Sequence, residues 1–432
     1  MGALQHHAKH AKVDPFCPQF CVIFMQHEPI SDTPLISAPH GAGLASLALA
    51  LGGLAIGTGE FASMSILPVV ANDLHASLPD MGHMISAYAL GVVFGAPLIT
   101  IFLARMPRKT MLVMLMSLYA MGNLLSAAAP GYGALILARF IAGIPHGAYF
   151  GVAALVAAAM TVPEKRAQAV SRVLLGLTIA NVFGVPLATW LSQGFGWRST
   201  FLVVGLLGLT TAVMVSRYVP FIAAGNASPR RELGVFRRLQ VWVTLLMVSV
   251  GFGGLFAVYT YITPTLLEVT RVAPAMVAVL LATMGVGMTV GNLVGGWFAD
   301  RSRLWTIFGA LVWNAAALSA FYYTSANLWT VALNLFAIGC GIAVCPAVQT
   351  RLMDVAGDAQ TVAAALNHSA FNCANAAGAW CGGLAIAHGM SLQSTGPVGA
   401  LLALGGIVVL GISVLLEQRP VARTLTAGSL AP

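Results

Sequence analysis

Charge is what this 432-residue sequence lacks. It holds 21 Lys and Arg and 13 Asp and Glu, 8 % of the chain, against roughly 25 % in an ordinary soluble domain. So few charges cannot cover the surface of a soluble globule of this length. A disordered chain is excluded too, because disorder needs low hydrophobicity and high charge, and 58 % of these residues are hydrophobic. Cys17, Cys21, Cys340, Cys345, Cys373 and Cys381 form no CxxC pair and no zinc spacing. The last four lie in apolar runs, where free Cys packs as a small hydrophobe. No Walker sequence is present, so ATP is not expected to act directly. Neither a metal nor a cofactor is expected. The ten-residue alternation of a membrane β-barrel is absent as well. The net charge of +8 sits singly or in twos and threes between apolar runs. That is a topology signal, not a nucleic-acid surface.

What the sequence does have is apolar length. A bilayer core of about 30 Å needs about 20 helical residues, and such runs recur near 42–70, 81–104, 109–129, 133–160, 167–192 and 198–220. Six more fall near 239–266, 275–299, 304–324, 327–350, 360–388 and 396–417. Helices are the expected solution, since backbone facing lipid must satisfy its own hydrogen bonds. The expectation is an all-α polytopic membrane protein of twelve transmembrane helices in two pseudo-symmetric six-helix bundles. With both termini inside, 18 of the 21 Lys and Arg fall on the cytoplasmic side; Arg198 and Arg271 fall outside and Arg139 within a span.

The longest connection, 221–238, divides the chain into bundles at 41–220 and 239–418, with a cytoplasmic tail at 419–432. The halves are weakly alike. Gly91, Gly95 and Arg105 have counterparts Gly287, Gly291 and Arg301, each 196 positions later; Pro68/Pro264 and Phe140, Gly143/Phe336, Gly339 share that offset. Ala180-Asn181-x-x-Gly184 returns as Ala374-Asn375-x-x-Gly378 at offset 194. Duplicated bundles with a site between them near the midplane are transporter architecture. Residues 1–40 are different: no apolar run there is long enough for a signal peptide. They are expected to be a disordered cytoplasmic tail, or an over-extended start with Met25 as the alternative beginning. His6, His7 and His10 are read as part of that tail, with metal binding the alternative.

Three motifs carry a family resemblance. Arg105-Met-Pro-Arg108-Lys109 between spans 2 and 3, and Asp300-Arg301-Ser-Arg303 in the second half, resemble the basic loops of the major facilitator superfamily. Leu135-x-x-x-Arg139-x-x-x-Gly143-x-x-His146-Gly147 resembles its fourth-span motif. GHMISAYALGVVFGAPL (82–98), RFIAGIPHGAYFGV (139–152) and Phe195-Gly-Trp-Arg-Ser-Thr-Phe201 look like the arabinose-efflux-permease type, in the twelve-span drug:proton antiporter branch. The resemblance covers about 41–418. It implies a multi-pass protein of the bacterial cytoplasmic membrane; the Lys and Arg count puts both termini in the cytoplasm, and a monomer suffices for the expected mechanism. It also implies that Arg139 couples to protons through the charge of a nearby acid, and that the basic loops act as an inward-side latch. Two departures stand out: Ala104 replaces the acid usual before the first loop's Arg, and Gly184-Val185-Pro186 replaces an adjacent Gly-Pro.

The polar residues within spans are few enough to weigh singly. Glu60 is the only carboxylate placed deep in one. An ionised acid at the bilayer centre costs about 2.5–3.5 kcal/mol on insertion scales, so Glu60 is expected to be a proton or cationic-substrate site; a paired structural acid is the alternative. Arg139 is the only basic residue placed within a span, and its face continues through Gly143 to His146. Arg139 is either a coupling residue or an anchor to backbone carbonyls, and His146 a proton relay or a packing histidine. His368, Asn372 and Asn375 share a face of span 11, as cavity lining or interhelical glue. In span 7, Tyr259 and Thr260, beside Phe256 and Thr263, are candidates for the same cavity. Asn181, with Gly184 and Pro186, and Asn292 are expected at close helix contacts. Besides any latch role, Arg105, Arg108, Lys109, Arg301 and Arg303 fix orientation and meet anionic lipid at about 1 kcal/mol each.

These residues make no nucleophile–base pair, so no enzyme is expected. A channel would want a ring of repeated ligands, and a sensor a signalling domain. The leading expectation is proton-coupled efflux of a small organic solute such as a drug, sugar or nucleoside. Proton symport or facilitated diffusion with Glu60 structural is the alternative.

Overall fold

The computed structural model describes residues 42–103, 105–162, 166–223, 233–356 and 360–428. The expectations for 1–40, for Ala104 and for residues 224–232 of the 221–238 connection lie outside them. Among the described residues the regular structure is all helical. Eleven helices are long and apolar enough to cross a bilayer. The first half holds α1 (Gly43–Ser65), α2 (Leu78–Phe102), α3 (Arg108–Ala127), α4 (Tyr132–Ala159), α5 (Ala169–Phe195) and α6 (Trp197–Tyr218). The second half holds α7 (Leu239–Thr260), α8 (Pro274–Ala299), α9 (Arg303–Thr324), α10 (Leu328–Ala356) and α12 (Leu392–Glu417). Between the last two runs α11 (Gln360–Ala387), 28 residues long and not among the eleven. Its length suffices at about 1.5 Å per residue. Asn367, His368, Asn372 and Asn375 are what lower its hydropathy. The closing helix continues to Gly428, through much of the segment expected as a tail.

Local breaks follow the sequence. Pro145 cannot donate a backbone hydrogen bond, and α4 is interrupted there: Tyr132–Gly143 ends and His146–Ala159 begins, so His146 opens the second piece. In α5 a wide turn over Ala180–Gly184 precedes Val185, with Pro186 in the first turn of the resumed helix. After α1 the chain bends at Ile66 and runs on as the short helix Leu67–Asp73, which leaves Glu60 well inside the combined span.

The halves are built by one packing scheme used twice. In the first, α1 packs on α5, α2 on α4 and α3 on α6; in the second, α7 packs on α11, α8 on α10 and α9 on α12. The offset of 196 is visible in atomic contacts. A Cβ on Gly91 would stand 2.2 Å from the Phe140 carbonyl oxygen, and one on Gly287 would stand 2.3 Å from that of Phe336. Gly143 meets the Tyr88 carbonyl in the same way that Gly339 meets that of Met284. The halves meet along α2–α11 and α5–α8, which are themselves equivalent under the repeat. Along α2–α11, Ser86 bonds to the Ala376 carbonyl and Ser369 to that of Val93; at α5–α8, Gln193 reaches the Pro274 carbonyl.

Consecutive helices alternate in direction, so the connections gather at two ends. One carries the basic loops. At the other, Asp73 Oδ2 accepts from Trp197 Nε1 at 2.9 Å and from Arg198 at 2.7 Å. The Trp197 bond, followed by the Arg198 bond, holds the Asp73 carboxyl below the usual carboxylate range. This ties the short helix after α1 to the start of α6.

Candidate functional site

The polar residues singled out in the sequence converge where α1, α2, α4, α7 and α11 meet. Small residues in α1 let its neighbours approach closely. The hydroxyls of Tyr149 and Tyr119 donate to the α1 carbonyls of Leu49 and Ala55, both at 2.8 Å. Arg139 donates to the Gly59 carbonyl at 3.0 Å, fixing the backbone immediately before Glu60.

Glu60 is 6 % exposed. Its Oε1 accepts from Asn375 Nδ2 at 3.2 Å, a bond from one half of the molecule to the other. Its Oε2 faces His146 Nδ1 at 3.9 Å, too far for a hydrogen bond but close for an ion pair once the imidazole is charged. His146 Nδ1 is 3.0 Å from the Tyr88 hydroxyl. The His146 ring lies 5.8 Å from that of His368, and His368 stacks on Phe150 at 5.2 Å. Both contacts cross between α4 and α11. A third crossing is the stack of Phe61 on Tyr259, 5.6 Å between centroids.

Arg139 is fully buried. Besides the Gly59 carbonyl it donates to Asn123 Oδ1 at 3.3 Å, and its guanidinium lies 4.4 Å from the Tyr88 ring centre and 5.0 Å from that of Phe201. Among the described residues Arg139 forms no ion pair with Glu60. The guanidinium is held by a carbonyl, an amide and two ring faces, the compensation a buried cation requires.

Thr260 and Thr263 are buried with hydroxyls that have no partner, and the amide oxygens of Asn372 and Asn375 are likewise unmet. Asn372 Nδ2 is engaged with its own helix, at the His368 carbonyl. These atoms leave acceptors and hydroxyls free in the interior, the groups a polar solute would meet. Asn181 lies in the wide turn of α5, bonded to the Leu177 carbonyl, with its own carbonyl against Gly285 of α8; Gly184 packs on the Thr58 hydroxyl.

The basic loops sit apart from this centre. Arg303 pairs with Asp354, joining α9 to α10 within the second half. Arg301 caps the Trp297 carbonyl and lies over that ring, and with Asp300 and Thr350 it lines an open cavity of about 470 Å³. Arg105, Arg108 and Lys109 form no ion pair among the described residues. Among the described residues these basic side chains make no bond between the halves.

Tyr88, Asn123, Phe61 and Phe150 were not picked out as site residues. Tyr88 and Phe150 lie within the quoted family segments 82–98 and 139–152. Asn123 carried no signal beyond being an amide in an apolar run.

The sequence profile described as Major Facilitator Superfamily matches residues 49–273. The Escherichia coli K12 "Inner membrane transport protein YdhP" is 40 % identical over 376 residues, 87 % of this chain and 96 % of that protein. The "Putative transporter AraJ" of the same organism is 32 % identical, over 83 % and 91 %. A "Probable sugar efflux transporter" of Helicobacter pylori J99 is 28 % identical, over 80 % and 89 %. Among solved structures, a bacterial homologue of the human lysosomal transporter Spinster superposes with a TM-score of 0.65 at 16 % identity, covering 87 % of this chain and 96 % of that one. That likeness concerns the fold alone.

Proposed function

The chain belongs to the Major Facilitator Superfamily of membrane transporters, and on that footing we propose that it exports a small organic solute in exchange for protons. In this reading α11 is a membrane helix like the other eleven, giving twelve spans. The basic end faces the cytoplasm with both termini, and the membrane is the bacterial inner membrane. The protein works as a monomer whose partners are protons, the solute and the bilayer.

The observation that carries the reading is Glu60. A carboxyl group buried near the middle of its span, bonded across the two halves by Asn375 and facing His146, is placed to link proton occupancy to the relative position of the halves. His146 is the second titratable group of the pathway, and Arg139 supplies a fixed positive field beside it. The solute occupies the interior bounded by Tyr259, Thr260, His368, Asn372 and Asn375. Export rather than uptake is favoured by the resemblance to efflux permeases and by the relative named for sugar efflux.

Energetics allow a one-proton exchange. One charge moving through about 100 mV yields about 2.3 kcal/mol, which sustains roughly a 50-fold gradient of a neutral solute. The test uses purified protein in liposomes enclosing a pH dye, with sugars, nucleosides and lipophilic drugs offered under an imposed proton gradient. Solute-dependent proton flux is expected in the wild type and is abolished in Glu60→Gln. Solute flux that survives in Glu60→Gln with no proton movement would make Glu60 structural and the protein a facilitator.

A further inference from the structure

Asn375 is more than lining. It is fully buried, its Nδ2 donates to Glu60 Oε1 at 3.2 Å, and its Oδ1 has no hydrogen-bond partner. The two residues belong to α1 and α11, so their bond joins the halves of the molecule. An amide beside a carboxyl group makes a different number of bonds with each charge state. An ionised carboxylate can only accept. It takes the one N–H from Asn375 and leaves Oδ1 unmet. A neutral carboxyl also donates, and the unmet Oδ1 beside it is the acceptor that completes a closed acid–amide pair. His146 does not take that proton: Oε2 stands 3.9 Å from its Nδ1, beyond hydrogen-bond reach.

We propose that Asn375 is the positioning residue that makes the α1–α11 contact depend on whether Glu60 carries a proton. This rests on the reading of Glu60 as the proton site and adds how its state reaches the other half. With the proton bound, two hydrogen bonds hold α1 to α11; with the proton gone, one remains. The remaining bond is charge-assisted, but it leaves a carboxylate charge buried away from water with one partner, so raising the pH loosens the junction and lowering it tightens the junction.

The other groups around Glu60 do not supply this switch. Tyr88 of α2, Tyr119 of α3 and Tyr259 of α7 lie within electrostatic reach and belong to a residue type neutral at physiological pH. Arg139 of α4 keeps its charge and is fixed by Gly59 and Asn123. His146 of α4 faces Oε2, and His368 of α11 stands behind His146. These two imidazoles are the remaining titratable groups, and the test controls for them.

Asn72 and His388 are exposed and lie in different halves at the Asp73 end. Spin labels on Asn72→Cys and His388→Cys, in the full chain with its native cysteines replaced and set in lipid nanodiscs, report the distance between the halves. In the wild-type background, acid conditions favour the short distance and alkaline conditions the long one. The ratio changes about fivefold for the one net hydrogen bond involved. Glu60→Gln, whose amide mimics the neutral acid, stays at the short distance at every pH. Asn375→Leu loses the pH response. Asn375→Ser, which keeps a polar group but cannot close the pair, loses most of it and serves if the leucine variant fails to fold. His146→Gln and His368→Gln retain the response. A response that persists in both Asn375 variants but vanishes in Glu60→Gln overturns the role of Asn375 and leaves Glu60 as the proton site. A response that persists in Glu60→Gln overturns both. A response lost in either histidine variant assigns the switch to the imidazoles and overturns the proposal.

Discussion

Arg139 shows how a single buried charge is accommodated, and its arrangement makes a sharp substitution test. Its guanidinium uses two donors on fixed acceptors and two faces on aromatic rings. Lysine has comparable charge but no planar face and no fork, so it can satisfy one acceptor while the other stays unpaired. Leaving a buried acceptor unmet costs about 1–3 kcal/mol, more than the 0.6 kcal/mol or so typical of a polar contact between membrane helices. Arg139→Lys is therefore expected to lower the thermal midpoint in detergent by the equivalent of about 1–3 kcal/mol, and Arg139→Ala by more. An unchanged midpoint in both would mean that the two bonds carry no net stability. Glu60 and Arg139 were legible in the sequence because an ionisable residue alone in an apolar run is conspicuous. Their partners were not. Tyr88 and Asn123 are unremarkable in apolar helices, and only the crossing of α2, α3 and α4 turns them toward the guanidinium. The side chain of Asn375 reaches Glu60 from α11, a relation that its spacing from His368 could not reveal.

Between helices, contact depends on glycine. A Cβ at Gly143 would stand 2.0 Å from the Tyr88 carbonyl oxygen, and one at Gly339 would stand 2.3 Å from that of Met284. The obstacle is backbone in each case, so no rotamer change relieves it and the helices must separate. Overpacking of this kind costs typically about 1–3 kcal/mol. Gly143→Ala and Gly339→Ala are each expected to destabilise by that amount in thermal unfolding, whereas Gly151→Ala, on the same helix as Gly143 with open space at its Cβ, is expected to be neutral. Equal effects at all three positions would remove close backbone approach as the cause. The shared offset of 196 made the repeat legible from the sequence alone. It marked Gly91 with Gly287 and Gly143 with Gly339, but the carbonyl that each glycine meets emerges only when α2 packs on α4 and α8 on α10. Segment α11 is legible in the sequence by its length and position, although its asparagines and histidine keep it out of the eleven helices apolar enough to cross a bilayer. Two of the residues that depress its hydropathy, His368 and Asn375, are ones that reach the other half.

Across the whole molecule, the two halves are sealed together at the Asp73 end. Tyr261, just beyond α7, donates to the Ala379 carbonyl of α11 at 3.0 Å, and its hydroxyl fills the space where side chains at Gly82 of α2 and Gly383 of α11 would be. A Cβ at Gly82 would lie 2.5 Å from that oxygen. The ring cannot simply swing aside, because Gly382 packs on its edge and its hydroxyl is bonded. A branched side chain at Gly82 would therefore force α2 away from α7 and α11 and favour conformations open at this end. Ser86, one turn deeper on α2 and bonded to the Ala376 carbonyl, is half-buried behind the seal. In a background with the native cysteines replaced, Ser86→Cys is expected to react slowly with a membrane-impermeant maleimide and several-fold faster once Gly82→Val is added. If the basic end faces the cytoplasm, the acceleration appears with reagent applied to the outer surface of right-side-out membranes. Acceleration only from the inner surface would invert the orientation, and no acceleration from either side would mean that Tyr261 does not close the junction. One pair of variants thus reads both the seal and the direction in which the molecule sits.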